Sequence, residues 1–245
     1  MINDLAAIIL AAGKGVRLNC KTINKVAFNI GNKPMVSYIV NTLKTAGIKK
    51  TVCVIGFASQ SVKNVLRQSV EYGFQKRRLG TARAALCGLK KIDSSIKHVL
   101  VLNGDDSAFY SAELIKKMYE IQSKRRPAIT ILTVKLDNPY GLGRIIRDKK
   151  TGYVIRVVEE KNANEEEKQV KEINTACYIF NRDFLEKYLP KIKKNPISKE
   201  YYLTDLIELA VKNGFLIQAL LWPDNKIFQG VNSPDQLKAA QKRFL

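Results

Sequence analysis

Four apolar runs without internal alternation fix the class of this chain. LAAIIL (5–10), TVCVI (51–55), HVLVLNGD (98–105) and AITILTVKL (128–136) lack the polar–apolar alternation of a half-exposed strand. Runs of this kind suit strands covered on both faces, as in the interior of a parallel sheet. Segments with helical spacing separate them. KPMVSYIVNTLKTAGI (33–48) puts Met35, Ile39, Leu43 and Ile48 on roughly one face, with Pro34 at its start and Gly47 near its end. SQSVKNVLRQ (59–68), opened by Ser59, TARAALCGLKKI (81–92) and a stretch over about 111–124 read the same way. The alternation predicts an α/β fold with a Rossmann-like, mostly parallel mixed sheet flanked by helices, its ligands bound beyond the carboxyl ends of the strands.

The pattern changes after Pro139. GRIIRDKKTGYVIRVVEEK reads as two antiparallel strands joined by the turn DKKTG, without a long helix. INTACYIFN (173–181) is again an apolar strand, EYYLTDLIELAVKNG (200–214) an amphipathic helix closed by Gly214, and FLIQALLW (215–222) a strand. In SPDQLKAAQKRFL, Ser233 is placed to cap a terminal helix with Pro234 at its first position. The chain has no internal repeat and no low-complexity segment.

With 46% apolar residues in 245, the chain can build a real core. No apolar run approaches the ~18 residues of a membrane span, and MINDLAAIILAAG carries an acid and no cationic leader. A cytoplasmic protein without membrane association is therefore expected. Cys20, Cys53, Cys87 and Cys177 are too scattered for a zinc site or a disulfide framework, and the single histidine, His98, rules out multi-histidine metal sites and speaks against a histidine-based triad. Lys and Arg outnumber Asp and Glu 42 to 22, a net charge of +20. The lysines are spread in short pairs and no aromatic residues interleave with them, so a solvated basic surface that attracts anionic nucleotides is favoured over nucleic-acid binding.

LAAGKGVRLNCKTINK (10–25) follows the first strand as a loop of some twenty residues, long for a bare connection. Gly13 and Gly15 let backbone amides approach an anion, and Arg17 and Lys25 can bond phosphate oxygens. The spacing is neither a Walker loop nor a dinucleotide fingerprint. A second group, VLVLNGDD, brings Asp105 and Asp106 out at the end of a buried strand on the same rim. Carboxylates there suit magnesium, although NGDD is also ordinary turn chemistry. A phosphate cradle and an acid, with no histidine pair and no obvious nucleophile, describe direct phosphoryl or nucleotidyl transfer by positioning and charge neutralisation.

These blocks, with FQKRRLGTARA, YGLGRIIRD, VVEEKNA, EINTACYIF, EYYLTDLI and GVNSPDQL, occur in the order and spacing of the sugar-phosphate nucleotidylyltransferases. The chain most resembles the uridylyltransferase domain of the bacterial bifunctional enzymes that couple UTP to N-acetylglucosamine 1-phosphate. The resemblance covers nearly the whole chain. It implies the nucleotide-diphospho-sugar transferase type of fold: one domain over 1–245, with 1–136 mainly binding nucleotide, 137–232 a smaller antiparallel lobe mainly binding sugar, and 233–245 a C-terminal helix.

It further implies that Leu10, Ala11, Ala12, Gly13 and Gly15 hold the nucleotide, that Arg17 and Lys25 bind its phosphates as catalytic cations, and that Gln75, Gly80 and Thr81 read uracil. Asp105 and Asn232 would hold Mg2+. Gly143, Glu159, Asn174, Tyr202 and Thr204 would hold the sugar. The residues alone also allow plainer readings: a capped helix at Gly80–Thr81, a helix approach at Asn232, a salt bridge from Glu159 to Lys161, and a paired strand amide at Asn174.

Two departures stand out. Val16 replaces the threonine of the G-x-G-T-R loop, which phosphate binding should survive, and GDDSAF replaces GDVPL, bearing on loop shape, metal number or sugar preference. The bifunctional relatives continue into a β-helix that acetylates glucosamine 1-phosphate, and no hexapeptide repeats follow here, so acetyl transfer is not expected. Transfer to another sugar or alcohol phosphate with UTP, dTTP or CTP, or a degenerate basic binding module, remain the alternatives. Oligomeric state is not legible.

Overall fold

The computed structural model describes residues 2–243. The first half runs β1 (Ile2–Ala11), β2 (Asn29–Ile30), β3 (Lys33–Pro34), α1 (Met35–Ala46), β4 (Ile48–Ile55), α2 (Ser59–Leu66), β5 (Glu71–Phe74), α3 (Thr81–Leu89), β6 (His98–Asn103) and α4 (Ala112–Arg125). The second half runs β7 (Ile129–Lys135), β8 (Arg144–Arg147), β9 (Val154–Val158), α5 (Glu165–Lys168), β10 (Glu172–Asn181), α6 (Arg182–Tyr188), α7 (Asp205–Lys212), β11 (Ile217–Leu221) and α8 (Pro234–Lys242). Residues 244 and 245 of the expected terminal helix lie outside the described residues.

The main sheet is ordered β11-β7-β10-β6-β1-β4-β5, with β8 and β9 attached through β10. Neighbours along this path are parallel, except that β10 runs antiparallel to both β6 and β7. The β8–β9 hairpin joins β10 through the Ile173–Arg144 pair and forms the expected antiparallel lobe. Its turn is held by the Asp148 carboxylate, which accepts from the amides of Lys150 and Thr151 and from the Thr151 hydroxyl.

The unbroken apolar runs are explained by helices on both faces. Ala6, Ile8 and Leu10 of β1 join one core cluster, and Leu5, Ala7, Ile9 and Ala11 the other. Helix α3 lies so close to the sheet that a Cβ on Gly88 would come within 2.6 Å of Ile8 Cγ2, which accounts for the small residues of TARAALCGL.

Some boundaries differ from expectation. Ile48 opens β4 instead of closing the preceding helix, and Gly47, at φ 92°, makes the break. Ser59 does not cap α2; Ala58 precedes it in a left-handed conformation. The helix expected over 200–214 begins only at Asp205, because the Tyr201 backbone pairs with Leu79 and Ala82 at the start of α3. The four-residue edge strand β5, the short β2–β3 hairpin and helix α6 were not anticipated. Among the described residues no helix is long and apolar enough to cross a membrane.

Candidate active site

Strand register decides where the loops meet. Leu10 of β1 is level with Val54 of β4 and Asn103 of β6, so three strands end at one rim. Backbone bonds fasten the connections that leave it. The Gly104 amide donates to the Leu10 carbonyl at 3.0 Å, and the Val231 amide to the Asp105 carbonyl at 3.1 Å. The GVN segment, more than a hundred residues downstream, is thereby tied to the GDD turn.

These fastenings bring the side chains of Lys25, Asp105 and Asn232 together. The Lys25 ammonium bonds the Asp105 carboxylate and also donates to Asn232 Oδ1 at 2.9 Å. Two oxygens from distant parts of the chain thus converge on one cation. At 15% and 11% side-chain exposure, the Lys25–Asp105 pair is largely withdrawn from water.

The glycine loop is shaped by a residue that the motifs did not single out. Asn24, fully buried, donates through Nδ2 to the carbonyls of Ala11, Gly13 and Phe57, while its backbone amide donates to the Ser61 hydroxyl. It fixes the loop on both sides of Lys25's anchoring turn. An asparagine beside a lysine carries no recognisable sequence signal, since its side chain bonds only backbone groups.

The two loop glycines have different reasons. Gly15 sits at φ +62° and a Cβ there would come 2.8 Å from Cys20 Sγ, so the fold requires it. Gly13 is exposed, has no positive φ, and a Cβ on it would meet nothing within 4 Å. Its bareness leaves the space open to a ligand. Arg17 lies exposed in a single turn over Val16–Leu18 and is not brought into contact with Lys25, Asp105 or Asn232.

Gln75 is 6% exposed, and its Nε2 donates to the Gly80 carbonyl at 3.1 Å. One N–H of the amide is therefore engaged, and its oxygen is left to accept. Gly56 allows this packing, since a Cβ on it would meet the carbonyls of both Ala12 and Gln75 at 3.0 and 3.2 Å. Gly80 is also obligatory: at φ +97° a Cβ would come 2.5 Å from the Tyr201 carbonyl. The Thr81 hydroxyl accepts from the Leu203 amide at 2.9 Å, joining the start of α3 to the EYYLTD segment.

A cleft of about 760 Å³ opens between the rim and the antiparallel lobe. All five expected sugar residues, Gly143, Glu159, Asn174, Tyr202 and Thr204, line it, together with Leu10, Thr81 and Asn232. Gly143 packs closely on β9, where a Cβ would come 3.1 Å from Val157 Cγ1 and 3.4 Å from Glu159 Oε1. Among the described residues Glu159 has no ion pair with Lys161; its neighbour Glu160 pairs with the buried Arg144. Burial raises the Glu159 pKa, against the opposing charges of Lys161 and Arg144.

Asn174 accepts through Oδ1 from the Tyr178 hydroxyl and the Ala176 amide, which leaves its NH2 as the group offered to the cleft. Asp106 also lines the cleft. Its carboxyl is pushed well above the usual range by burial and then by the charge of Asp105.

The same chain organisation recurs in known proteins. A model of the nucleotidyl transferase family matches residues 6–225. The chain belongs to the nucleotidyl transferase family. Within it, the chain is 37% identical over 238 residues to the bifunctional protein GlmU of Carboxydothermus hydrogenoformans and 38% identical over 241 residues to that of Geotalea uraniireducens. These matches cover 97% and 98% of the chain but 52% of each relative, so the chain spans about half the length of these relatives. A crystal structure from Bacillus anthracis, assigned as a glucose-1-phosphate thymidylyltransferase in complex with a sucrose, shares the fold with a TM-score of 0.81 at 20% identity, covering 98% of this chain and 95% of that one.

Proposed function

We propose that this nucleotidyltransferase joins UTP to N-acetylglucosamine 1-phosphate, giving UDP-N-acetylglucosamine and pyrophosphate. The observation that carries the reading is the meeting of Lys25, Asp105 and Asn232, the last of which also lines the cleft that holds the expected sugar residues. The identity to GlmU over the whole chain supports the choice of substrates.

In the reaction, a phosphate oxygen of the sugar phosphate forms a bond to the α-phosphorus of UTP while the bond from that phosphorus to the bridging oxygen breaks, and pyrophosphate leaves with the electron pair. The attacking oxygen is already anionic, so no general base is needed. The difficulty lies in bringing anions together and holding them in line. Lys25 and Arg17 offset phosphate charge, Arg17 after movement of its exposed loop. Gln75 presents an acceptor that matches the N3–H of uracil. Asn174 and Glu159 offer a donor and an acceptor to the sugar.

Magnesium fits the donor set: Asp105 and Asn232 contribute one hard oxygen each and already converge on a cation, and Mg2+ commonly takes one or two protein oxygens with the rest from phosphate and water. When bound, it would neutralise and orient the triphosphate. The four free cysteines suit a reducing compartment, in keeping with a cytoplasmic enzyme.

A panel of UTP, dTTP and CTP against several sugar 1-phosphates, scored by pyrophosphate release, tests the reading. UTP with N-acetylglucosamine 1-phosphate is expected to give the highest kcat/KM. A clear preference for another pair would replace the substrates, and salt-dependent RNA binding with no turnover on any pair would replace the enzyme with a basic binding module.

A further inference from the structure

Asp106 supplies an observation that the transfer reaction itself does not use. It is 8% exposed, lines the cleft, and holds the Asn103 amide through Oδ2 at 3.1 Å. Its other oxygen, Oδ1, is buried without a hydrogen-bond partner among the described residues. Neighbouring hydroxyls that could have donated to it are directed elsewhere: Ser107 to the Asn103 carbonyl at 2.5 Å, Tyr110 to the Thr175 carbonyl at 3.5 Å, and Tyr178 to Asn174 at 2.9 Å. A buried acceptor left unpaired costs about 1–3 kcal/mol, and such groups are rare in folded proteins.

We infer that the missing partner is the acceptor substrate: Asp106 takes a hydrogen bond from a hydroxyl of the sugar phosphate and so discriminates among sugars. The inference rests on the sugar-phosphate transferase reading. It follows from the geometry: an unpaired carboxyl oxygen on a residue that lines the cleft is completed by a ligand hydroxyl, which can both donate and accept. It also follows from placement. The Asn103 bond ties Asp106 to a second residue lining the cleft, whereas the Lys25 ammonium is bonded to Asp105 and Asn232. A site that hydrogen-bonds a hydroxyl rejects analogues lacking it far more strongly than an apolar pocket rejects a change of shape.

The test compares wild type, Asp106→Val and Asp106→Asn on the best sugar 1-phosphate of the panel and on its monodeoxy analogues, with UTP and Mg2+. Asp106→Val is expected to raise KM for the sugar phosphate about 10-fold or more while KM for UTP changes less than about twofold. With one monodeoxy analogue, wild type and Asp106→Val should become equal, since the bond is then absent from both. Asp106→Asn, which can still hold Asn103 and bond a hydroxyl, should retain most of the preference. Because Asp106→Val also deletes the bond from Asn103, Asp106→Asn, which keeps it, is the control for stability in melting-temperature measurements.

An unchanged sugar KM in Asp106→Val overturns the inference, and so does an equal penalty for every deoxy analogue, the mark of a purely structural residue. A matching rise in the magnesium requirement overturns it in favour of a metal role. Absence of turnover with every sugar phosphate overturns the transferase reading and this inference together, whereas turnover indifferent to Asp106 overturns only the latter.

Discussion

Replacing Lys25 by methionine tests how the site is held together. The substitution keeps the length of the side chain and removes the cation that the Asp105 carboxylate and Asn232 Oδ1 share. Breaking a fully buried pair costs roughly 3–5 kcal/mol and breaking an exposed one about 0–1. With side-chain exposures of 15% and 11%, this pair lies nearer the buried limit, and about 2–3 kcal/mol is expected. For a chain of 245 residues that is a fall of about 5–10 °C in melting temperature. Most of the loss comes from the stranded Asp105 charge, so Lys25→Met/Asp105→Asn should melt higher than Lys25→Met alone. Mg2+ should stabilise Lys25→Met more than wild type, because no ammonium competes for the two oxygens. In turnover, kcat should drop about 10²-fold or more, as when a donor to developing charge is deleted. A Lys25→Met protein that melts within 1 °C of wild type and is not improved by Asp105→Asn would refute this electrostatic description.

Three further outcomes are expected. Gly13→Ala should leave melting temperature unchanged, since the added carbon meets no protein atom, yet raise KM for UTP several-fold by entering the space left for the nucleotide. CTP should react about 10- to 100-fold more slowly than UTP, because cytosine N3 is an acceptor and faces the acceptor end of Gln75, whose NH2 is held by the Gly80 carbonyl; dTTP should not be rejected by this contact. Burial raises the Glu159 pKa, so as pH falls from 7 this carboxylate takes up its proton earlier than an ordinary glutamate, and KM for the sugar phosphate should climb in that range. Glu159→Gln should flatten the climb.

Much of the fold was legible because its governing signals are local. Unbroken apolar runs marked strands sandwiched between two helix layers, and β1 does divide its alternate residues between two core clusters. Ser233 and Pro234 began α8 as their chemistry dictates. Tertiary contacts decided what local signals missed. Tyr201 and Tyr202 fit a helical pattern, yet Tyr201 is drawn out of it by hydrogen bonds to the start of α3. The EYGF strand is too short and too exposed at the sheet edge to show a period. In the site, Gly143, Glu159 and Asn174 were singled out through their motifs, and the structure places all three on one cleft. Asn24 and the open valence of Asp106 were not, because a hydrogen bond to a carbonyl, or the lack of one, leaves no pattern in sequence.

The most direct measurement is the initial rate of pyrophosphate release from UTP and N-acetylglucosamine 1-phosphate, with and without Mg2+, for wild type and Asp105→Ala. Convergence of Lys25, Asp105 and Asn232 on one metal-bound triphosphate requires rapid release by wild type in Mg2+ and little or none without the ion or without the Asp105 carboxylate. Release by Asp105→Ala at the wild-type rate would contradict it.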